Sequence, residues 1–530
     1  MAKAAADNNL DKFTSQLSAH IWGHRFREGQ RGPEYVLEFL NVLFGTNYTF
    51  SHESYQRKKS VGLRKFIFEG VKEGAGSREI LVLKEEEKEK LLNAIHEDNI
   101  HVLKQFLRNL EVVLYNTTGK EADRSWFARS LYPLHESLLY VELRKKGSEL
   151  SFERNFYARG GELYFLMLAY GTEKHEERRL FIEKRFRQLL KKNKIIEKVV
   201  DKITTAFDEE ERSSERAKLR SATNDENVPL LPASAPQENE RLFESFAQEL
   251  ESLLSIEIDI YEMFHLLTAL VCFQLARYMH ERAQIGNDCH SYFFDCLDGA
   301  NKPISQLSAL SFEQHENLIK TKFEYEFELK MQKMFGDDEE IDRQLPQWKE
   351  NPDQFMDLMG LGQMRSRKLT ILSTLSRCNT AADVTGRLKR MIREAVSDQL
   401  KKHQLNITRV ISRDGGFATY RRGSASNYRY TISDEFLQMI VFTKVKPKEK
   451  MEYFEFLELL YQDYGIVIGE SQAKKSGLYE LSRLNTRYFN DNEKALREKL
   501  RHNGLLIEFS DATAMVQNPY ALSVMEVSYV

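Results

Sequence analysis

Cys289-His290 and Cys296, with His280 upstream, are the residue types that hold zinc. A structural zinc draws paired ligands spaced C-x2-4-C and H-x3-5-H, so that short loops can close a tetrahedron. Here the cysteines are seven apart and Phe293-Phe294 lies between them. A buried thiol beside aromatic rings is the simpler reading. Glu69, Glu79 and Lys84 have the types used for Mg²⁺-dependent phosphodiester hydrolysis, in which acids hold the metal and orient water. The odd separation of Glu79 and Lys84 puts them on opposite faces of a strand, and the charged ends of an exposed hairpin account for them. There is no GxxxxGK(S/T) loop and no GxGxxG after a strand; Gly360-Leu-Gly362 precedes a basic helix without the lysine such a loop needs. GxSxG and HExxH are also absent. The sequence therefore assigns no catalytic residue, no metal ligand and no cofactor, and a non-enzyme is expected. A metal-dependent nuclease assembled from distant acids is kept as an alternative.

Charge gives a stronger signal. Leu361 to Tyr430 carries 15 Lys+Arg against 4 Asp+Glu, a balance of +11 in a chain of net charge −3, so the remaining residues sum to −14. Arg387, Lys389, Arg390 and Arg393 fall within two helical turns, Arg421 and Arg422 sit at an expected hairpin tip, and Arg429 lies between Tyr428 and Tyr430 in its arm. Lys494, Arg497 and Arg501 line the last helix before a second hairpin. Cations at such places reach phosphate, and each neutralised phosphate releases counterions. DNA bound with little sequence preference is the expected partner. The alternative is counter-charge from the same chain, and Phe323 to Asp357 offers it with 11 acids against 4 bases.

The loop from His20 to Glu34 carries Trp22, Arg25, Arg27 and Arg31. Trp and Arg are frequent anchors of protein interfaces. The simpler account puts Trp22 and Phe26 in the core and pairs the arginines with Glu28, Glu34 and Glu38.

These residues need elements to position them. A length of 530 residues suggests about three domains. Few prolines and glycines, with 30% charged residues, favour long solvated helices. A mainly α, multi-domain protein is expected. Residues 1–207 read as a helical unit with one β-hairpin near 63–84, from Arg64–Glu69 and Glu79–Lys84, and helical blocks at Glu85–Leu114, Trp126–Lys145, Gly161–Ala169 and Glu176–Lys192. Residues 208–240 are charged, proline-bearing and poor in aromatics, and read as a flexible linker. Residues 241–357 form a helical middle region, with one long helix over Glu240–Gln284 and an acidic connector over Asp337–Asp357. Residues 358–445 give a basic helix (Ala381–His403), an extended stretch at Asn406–Ile411, and a hairpin over Phe417–Ile432. Residues 446–530 read as a winged-helix-like unit, with helices before a hairpin of Leu505–Phe509 and Ala514–Val516. The longest apolar-rich stretch, Met263 to Ala276, is too short to span a bilayer. No secretory pattern opens the chain, and four cysteines do not make a disulfide framework. A cytoplasmic protein is expected.

Trp22 to Gly45 (WGHRFREGQRGPEYVLEFLNVLFG), Tyr428 to Val441 (YRYTISDEFLQMIV) and Leu496 to Tyr520 (LREKLRHNGLLIEFSDATAMVQNPY) resemble accessory subunits of multigene bacterial anti-phage defence operons, of the methylation-associated, BREX-like or phosphorothioation-linked kinds. The resemblance implies a non-catalytic helical subunit working beside a modification enzyme, an ATPase or a nuclease. Taken with the basic island, a DNA-binding or adaptor subunit of such a defence complex is expected, with a pure protein scaffold as the alternative. It assigns no functional residue.

Overall fold

The helix Ile260–Ala283, whose middle, residues 266–276, is buried on every side, runs through the centre of the protein. The computed structural model describes residues 17–23, 30–58, 60–74, 77–115, 120–139, 143–146, 149–152, 160–207, 214–219, 231–232, 234–286, 290–358, 365–388, 390, 404–420, 428–510 and 513–523. The principal helices are α1 (Gly32–Gly45), α2 (Gly160–Gly171), α3 (Glu240–Leu254), α4 (the central Ile260–Ala283), α5 (Lys302–Phe335), α6 (Asn406–Asp414), α7 (Asp434–Lys444), α8 (Tyr453–Tyr464) and α9 (Thr486–His502). The strands are short: β1 (Ser54–Lys58), β2 (Ser214–Lys218), β3 (Tyr292–Phe293), β4 (Ala418–Tyr420), β5 (Tyr428–Tyr430), β6 (Lys450–Glu452), β7 (Ile466–Val467), β8 (Leu506–Ser510) and β9 (Thr513–Gln517). A further pair joins Leu143–Lys146 to Glu149–Phe152. The protein is mainly α.

Helix α4 starts at Asp259, whose carboxylate accepts from the Glu262 amide (3.0 Å). Leu267, Leu270, Cys272, Phe273, Leu275 and Ala276 are all buried, and they point in every direction around the axis. Such a helix must be wrapped by others; α1, α3, α5, α6 and α7 do so. Among the described residues no helix is long and apolar enough to cross a membrane.

Helix α1 begins with Pro33 in its first turn, and the Glu34 carboxylate caps the Arg31 amide (2.8 Å). It lies against α2 at Gly161, where an added Cβ would stand 2.5 Å from the Phe39 amide nitrogen and 2.6 Å from Glu38 Cβ. The Gly161 amide donates to Glu38 Oε2 at 2.7 Å across the same contact. One hydrophobic core runs from Leu17 to Val516 through all of these helices. A smaller core gathers residues between Val61 and Phe207, and a third joins Phe293 and Ile304 to Val467 and Phe489.

Several expected elements take another form. The arm Arg64–Glu69 of the expected hairpin belongs to a helix, Val61–Phe68, and the arm Glu79–Lys84 pairs instead with the residues just after that helix, through the Lys72–Ile80 bridge and backbone hydrogen bonds of Gly70 and Val71 with Leu81. Leu63, Phe66, Ile67 and Phe68 are all buried, and a short apolar run that is buried all round satisfies helix and strand patterns alike. Trp126–Lys145 holds two 3₁₀ turns, Trp126–Ala128 and Glu136–Leu138, ahead of the strand Leu143–Lys146. Within the expected linker, β2 pairs antiparallel with β1, Tyr55 opposite Ala217, and Ala217 and Leu219 are buried. That tertiary partner supplies the ladder that local composition did not announce. The expected helix Glu240–Gln284 is two helices, α3 and α4, with a break at residues 255–259. The acidic connector forms two helices, Asp338–Glu350 and Pro352–Leu358; Asp337 and Glu340 make a capping box at the start of the first. Asn406–Ile411 is helical, as α6, and buries Ile407, Val410 and Ile411 on one side. From the expected basic helix, Ala381–Asp383 is followed by a π-turn, Val384–Leu388, and residues 391–403 lie outside the described ones.

The C-terminal third follows its expected order more closely. β8 and β9 pair, Leu506 opposite Val516, and β6 adds a third strand along β9, Met515 opposite Glu452. β4 and β5 form the other hairpin, Ala418 opposite Tyr430.

The α1–α2 contact yields a test. Replacing Gly161 by Ala should destabilise the protein by about 1–3 kcal/mol, because the added methyl has no room against backbone. Gly74→Ala, where the nearest atom is 3.8 Å away, should stay close to the parent. Urea midpoints of the two variants decide it; equal midpoints would mean that the α1–α2 crossing is not this tight.

Candidate functional site

The cations singled out by spacing meet different fates. Arg429, on β5, is buried, and its Nε donates to the fully buried Asp295 at 3.1 Å. It is therefore not a nucleic-acid contact: the strand alternation that suggested an outward arginine turns it inward onto a carboxylate. Burial raises the Asp295 pKa, and Arg429 and backbone amides only partly offset that. Arg497 is half-buried, stacked over the rings of Tyr453 (4.5 Å) and Phe454 (5.5 Å). Arg501 pairs with Glu498 and, at 3.9 Å, with Glu508 on β8. Lys494 is exposed. Arg387 is exposed on the π-turn, 3.7 Å from Asp383, and Arg390 is also exposed. Lys389, Arg393, Arg421 and Arg422 lie outside the described residues. Arg377, exposed just after the helix Arg365–Ser376, belongs with this group and was not singled out by spacing.

The loop before α1 is built inward. Trp22 is fully buried, and its Nε1 donates to the Met279 carbonyl of α4 (3.3 Å), so it is a core plug and not an interface anchor. Glu34 pairs with Arg124 (3.0 Å), and the Gly32 amide donates to Asp414 (3.0 Å). Burial raises the Glu34 pKa against the pull of Arg124. Arg31 is partly buried, and desolvation lowers its pKa despite Asp414. Arg25 and Arg27 lie outside the described residues. The arginines of this loop are expected from their spacing to pair with Glu28, Glu34 and Glu38; among the described residues the ion pair with Glu34 comes from Arg124.

Glu69 is held by Lys104 and by the Leu83 amide (3.2 Å), while Glu79 is exposed. The two do not form a shared metal site. Among the described residues no group of three His, Cys, Asp or Glu side chains is placed to hold a metal. Cys296 is a buried free thiol, and Cys289 lies outside the described residues.

A cleft of about 1200 Å³ opens between α3, α4, the start of β3, α5 and α8. Its floor is a stack of rings. His315 of α5 lies flat on Tyr292 (centroids 4.3 Å) and on His280 of α4 (4.4 Å). The Tyr292 hydroxyl and His280 Nδ1 share a hydrogen bond of 2.7 Å, and the Tyr430 hydroxyl and His315 Nδ1 share one of 3.0 Å. Nε2 of His280 is enclosed and has no protein partner. Burial holds both imidazoles neutral: it pushes His280 well below the usual histidine range and His315 down to about 3.

Beside the stack, Arg277 Nη1 donates to both oxygens of Glu249 (2.8 and 3.0 Å) and lies over Tyr464 (4.6 Å). Burial opposes its charge, but Glu249 and Tyr464 outweigh burial and raise its pKa. Lys444 sits over the other side of that cluster, 4.2 Å from the Tyr464 ring and 2.6 Å from Asp463. Sequence reasoning noticed His280 and His290 here, as metal candidates, and Tyr430 in a hairpin arm; Glu249, His315, Lys444 and Tyr464 come from α3, α5, α7 and α8, far apart in the chain. No protein-family model matches the sequence, and neither a curated protein nor a solved structure matches the chain.

The two buried imidazoles set a pH dependence. An unfolded histidine takes up a proton near pH 6.5, whereas folded His315 resists until about pH 3. Between those values the unfolded chain binds more protons, so stability falls as pH falls, by roughly 1 kcal/mol per pH unit for each histidine. Urea midpoints at pH 7.5 and 5 should differ more in the parent than in the double variant His280→Gln, His315→Gln. Buried carboxylates such as Glu34, whose raised pKa acts in the opposite sense, are common to both proteins and cancel in the comparison. Parallel pH profiles would remove the histidines from the account.

Proposed function

We propose that this chain is a non-enzymatic, DNA-binding adaptor subunit, and that it contacts phosphate through the stretch around residues 365–390. One observation carries the reading: Arg377, Arg387 and Arg390 lie exposed on successive elements inside the most basic part of the sequence. The ion pairs of Arg409 with Glu316 (2.5 Å) and Arg429 with Asp295 offset two of the eleven excess charges of the Leu361–Tyr430 island. The neighbouring acidic helix Asp338–Glu350 packs beside Ala381–Asp383, but Asp342 spends its carboxylate on the Ala381 amide (2.5 Å) and not on an arginine. Solvent-exposed cations grouped in this way bind polyanions without reading bases. The bacterial defence complexes that three stretches of the sequence resemble are the setting in which such an adaptor would work.

The C-terminal strands, in the order β8–β9–β6 with α7, α8 and α9, support a winged-helix-like reading of that unit. Its cations are largely engaged, Arg497 on rings and Arg501 on acids. Phe509 at 65% and Phe454 at 50% exposure are large apolar side chains on the same unit. That favours a protein contact there and keeps the scaffold reading as the second one.

Binding of labelled duplex DNA is the test. Its affinity should fall steeply with salt, and Arg377→Glu with Arg387→Glu should weaken binding at least about tenfold on any sequence while reducing the salt slope by about two. Lys494→Glu should change little. Absence of a complex at low salt would leave the scaffold reading in its place.

A further inference from the structure

We propose that the cleft between α3, α4, α5 and α8 binds a phosphate-bearing small molecule of mononucleotide size. Size is the first argument. At about 1200 Å³ the space exceeds the range usual for small-ligand sites and accommodates a nucleotide with room for water.

Charge is the second. Arg241, Arg277, Lys444, Lys446 and Lys475 line the cleft against Glu249, Glu281 and Asp463. Three of these cations already have an acid: Arg277 has Glu249, Lys444 has Asp463, and Lys475 has Glu458 at 2.7 Å. Among the described residues the side chains of Arg241 and Lys446 make no ion pair, and both are exposed at the mouth. A dianionic phosphate complements two such cations, and arginine and lysine are the side chains that recognise it.

His280, itself 4% exposed and lining the cleft, carries a ring nitrogen without a protein partner, although its other nitrogen is fixed by Tyr292. A buried polar atom left in this way carries a desolvation penalty. The Tyr292 bond and the stacking of His315 hold that cost in place, as they would hold a group kept ready for a ligand or for a water bridging to it. The ring stack and Leu242, Leu318 and Phe442 give the same cleft an apolar side on which a flat organic moiety can rest.

Calorimetric titration with AMP, with adenosine and with inorganic phosphate tests the proposal on the intact chain. AMP should bind with a Kd below about 1 mM. Adenosine should bind at least tenfold more weakly, and phosphate should compete with AMP. Arg241→Glu and Lys446→Glu should each weaken AMP about tenfold. Because neither side chain supports the fold, their thermal midpoints should stay at the parent value. The Arg377→Glu, Arg387→Glu protein should bind AMP like the parent, which separates this site from the DNA reading. AMP should also move the His280 imidazole nitrogen resonances. No binding of AMP at about 5 mM, or AMP binding that is indifferent to Arg241 and Lys446, overturns the proposal.

Discussion

Burying the middle of a 24-residue helix on every side is the constraint on which the rest of the architecture depends. α4 is not purely apolar: Thr268, Gln274, Arg277 and His280 go into the interior with it. Each then has to be satisfied by whatever packs there. The Thr268 hydroxyl returns to the Phe264 carbonyl of its own helix (2.8 Å). Gln274 accepts from Tyr164 of α2 (2.7 Å) and donates to Glu249 of α3 (2.7 Å). Arg277 binds the same Glu249, so one carboxylate joins two α4 residues to α3. Removing Glu249 would leave a buried guanidinium without its carboxylate and the Gln274 amide with only the Phe246 carbonyl (3.2 Å) to donate to, a much larger penalty than the net worth of the pair. The helices around α4 are thus chosen by hydrogen-bond completion as well as by shape.

The same logic governs the distribution of charge. A sequence with a basic island and an acidic remainder can bring the two together or leave the island for a partner. This fold does some of each. Arg409 and Arg429 are drawn onto Glu316 and Asp295, both distant in sequence and both buried, and these pairs fasten α6 and β5 to the α5 side of the core. Gly299 accommodates the Arg429 guanidinium: with φ at +86° and a Cβ position 2.8 Å from Nη2, no other residue fits without strain. The acidic helices after α5 spend their carboxylates on capping and on the Ala381 amide. Cations near residues 377–390 are left facing water.

The cleft arises where these two requirements meet. α4 contributes His280 and Arg277, α5 contributes His315, and the parallel pairing of β3 with β7 carries Tyr292 to the same place, Tyr292 opposite Ile466. Stacking of Tyr292, His315 and His280 replaces aliphatic packing there. It leaves a floor that is rigid and neutral at physiological pH, beneath a mouth that is cationic.

Much of the helical framework was legible in the amino-acid order. The proline start and glycine end of α1, the long apolar run in α4 and the last hairpin are local patterns, set by the backbone preferences of Pro and Gly and by apolar spacing. Where a segment was buried on all sides, as at Val61–Phe68, the pattern lost its period and helix could not be told from strand. Where a strand owed its existence to a distant partner, as β2 does to β1, composition pointed to a linker instead. Site chemistry divides in the same way. Net charge is additive along the chain, so the basic island was visible as a sum. Which of its arginines face water depends on carboxylates more than a hundred residues away from Arg429, and on the side of the chain that burial selects. The imidazole stack joins residues 280, 292 and 315 to 430 and has no local signature at all. Pairing, burial and the loss of water around a group are properties of the folded assembly of helices, and only the tertiary structure decided them.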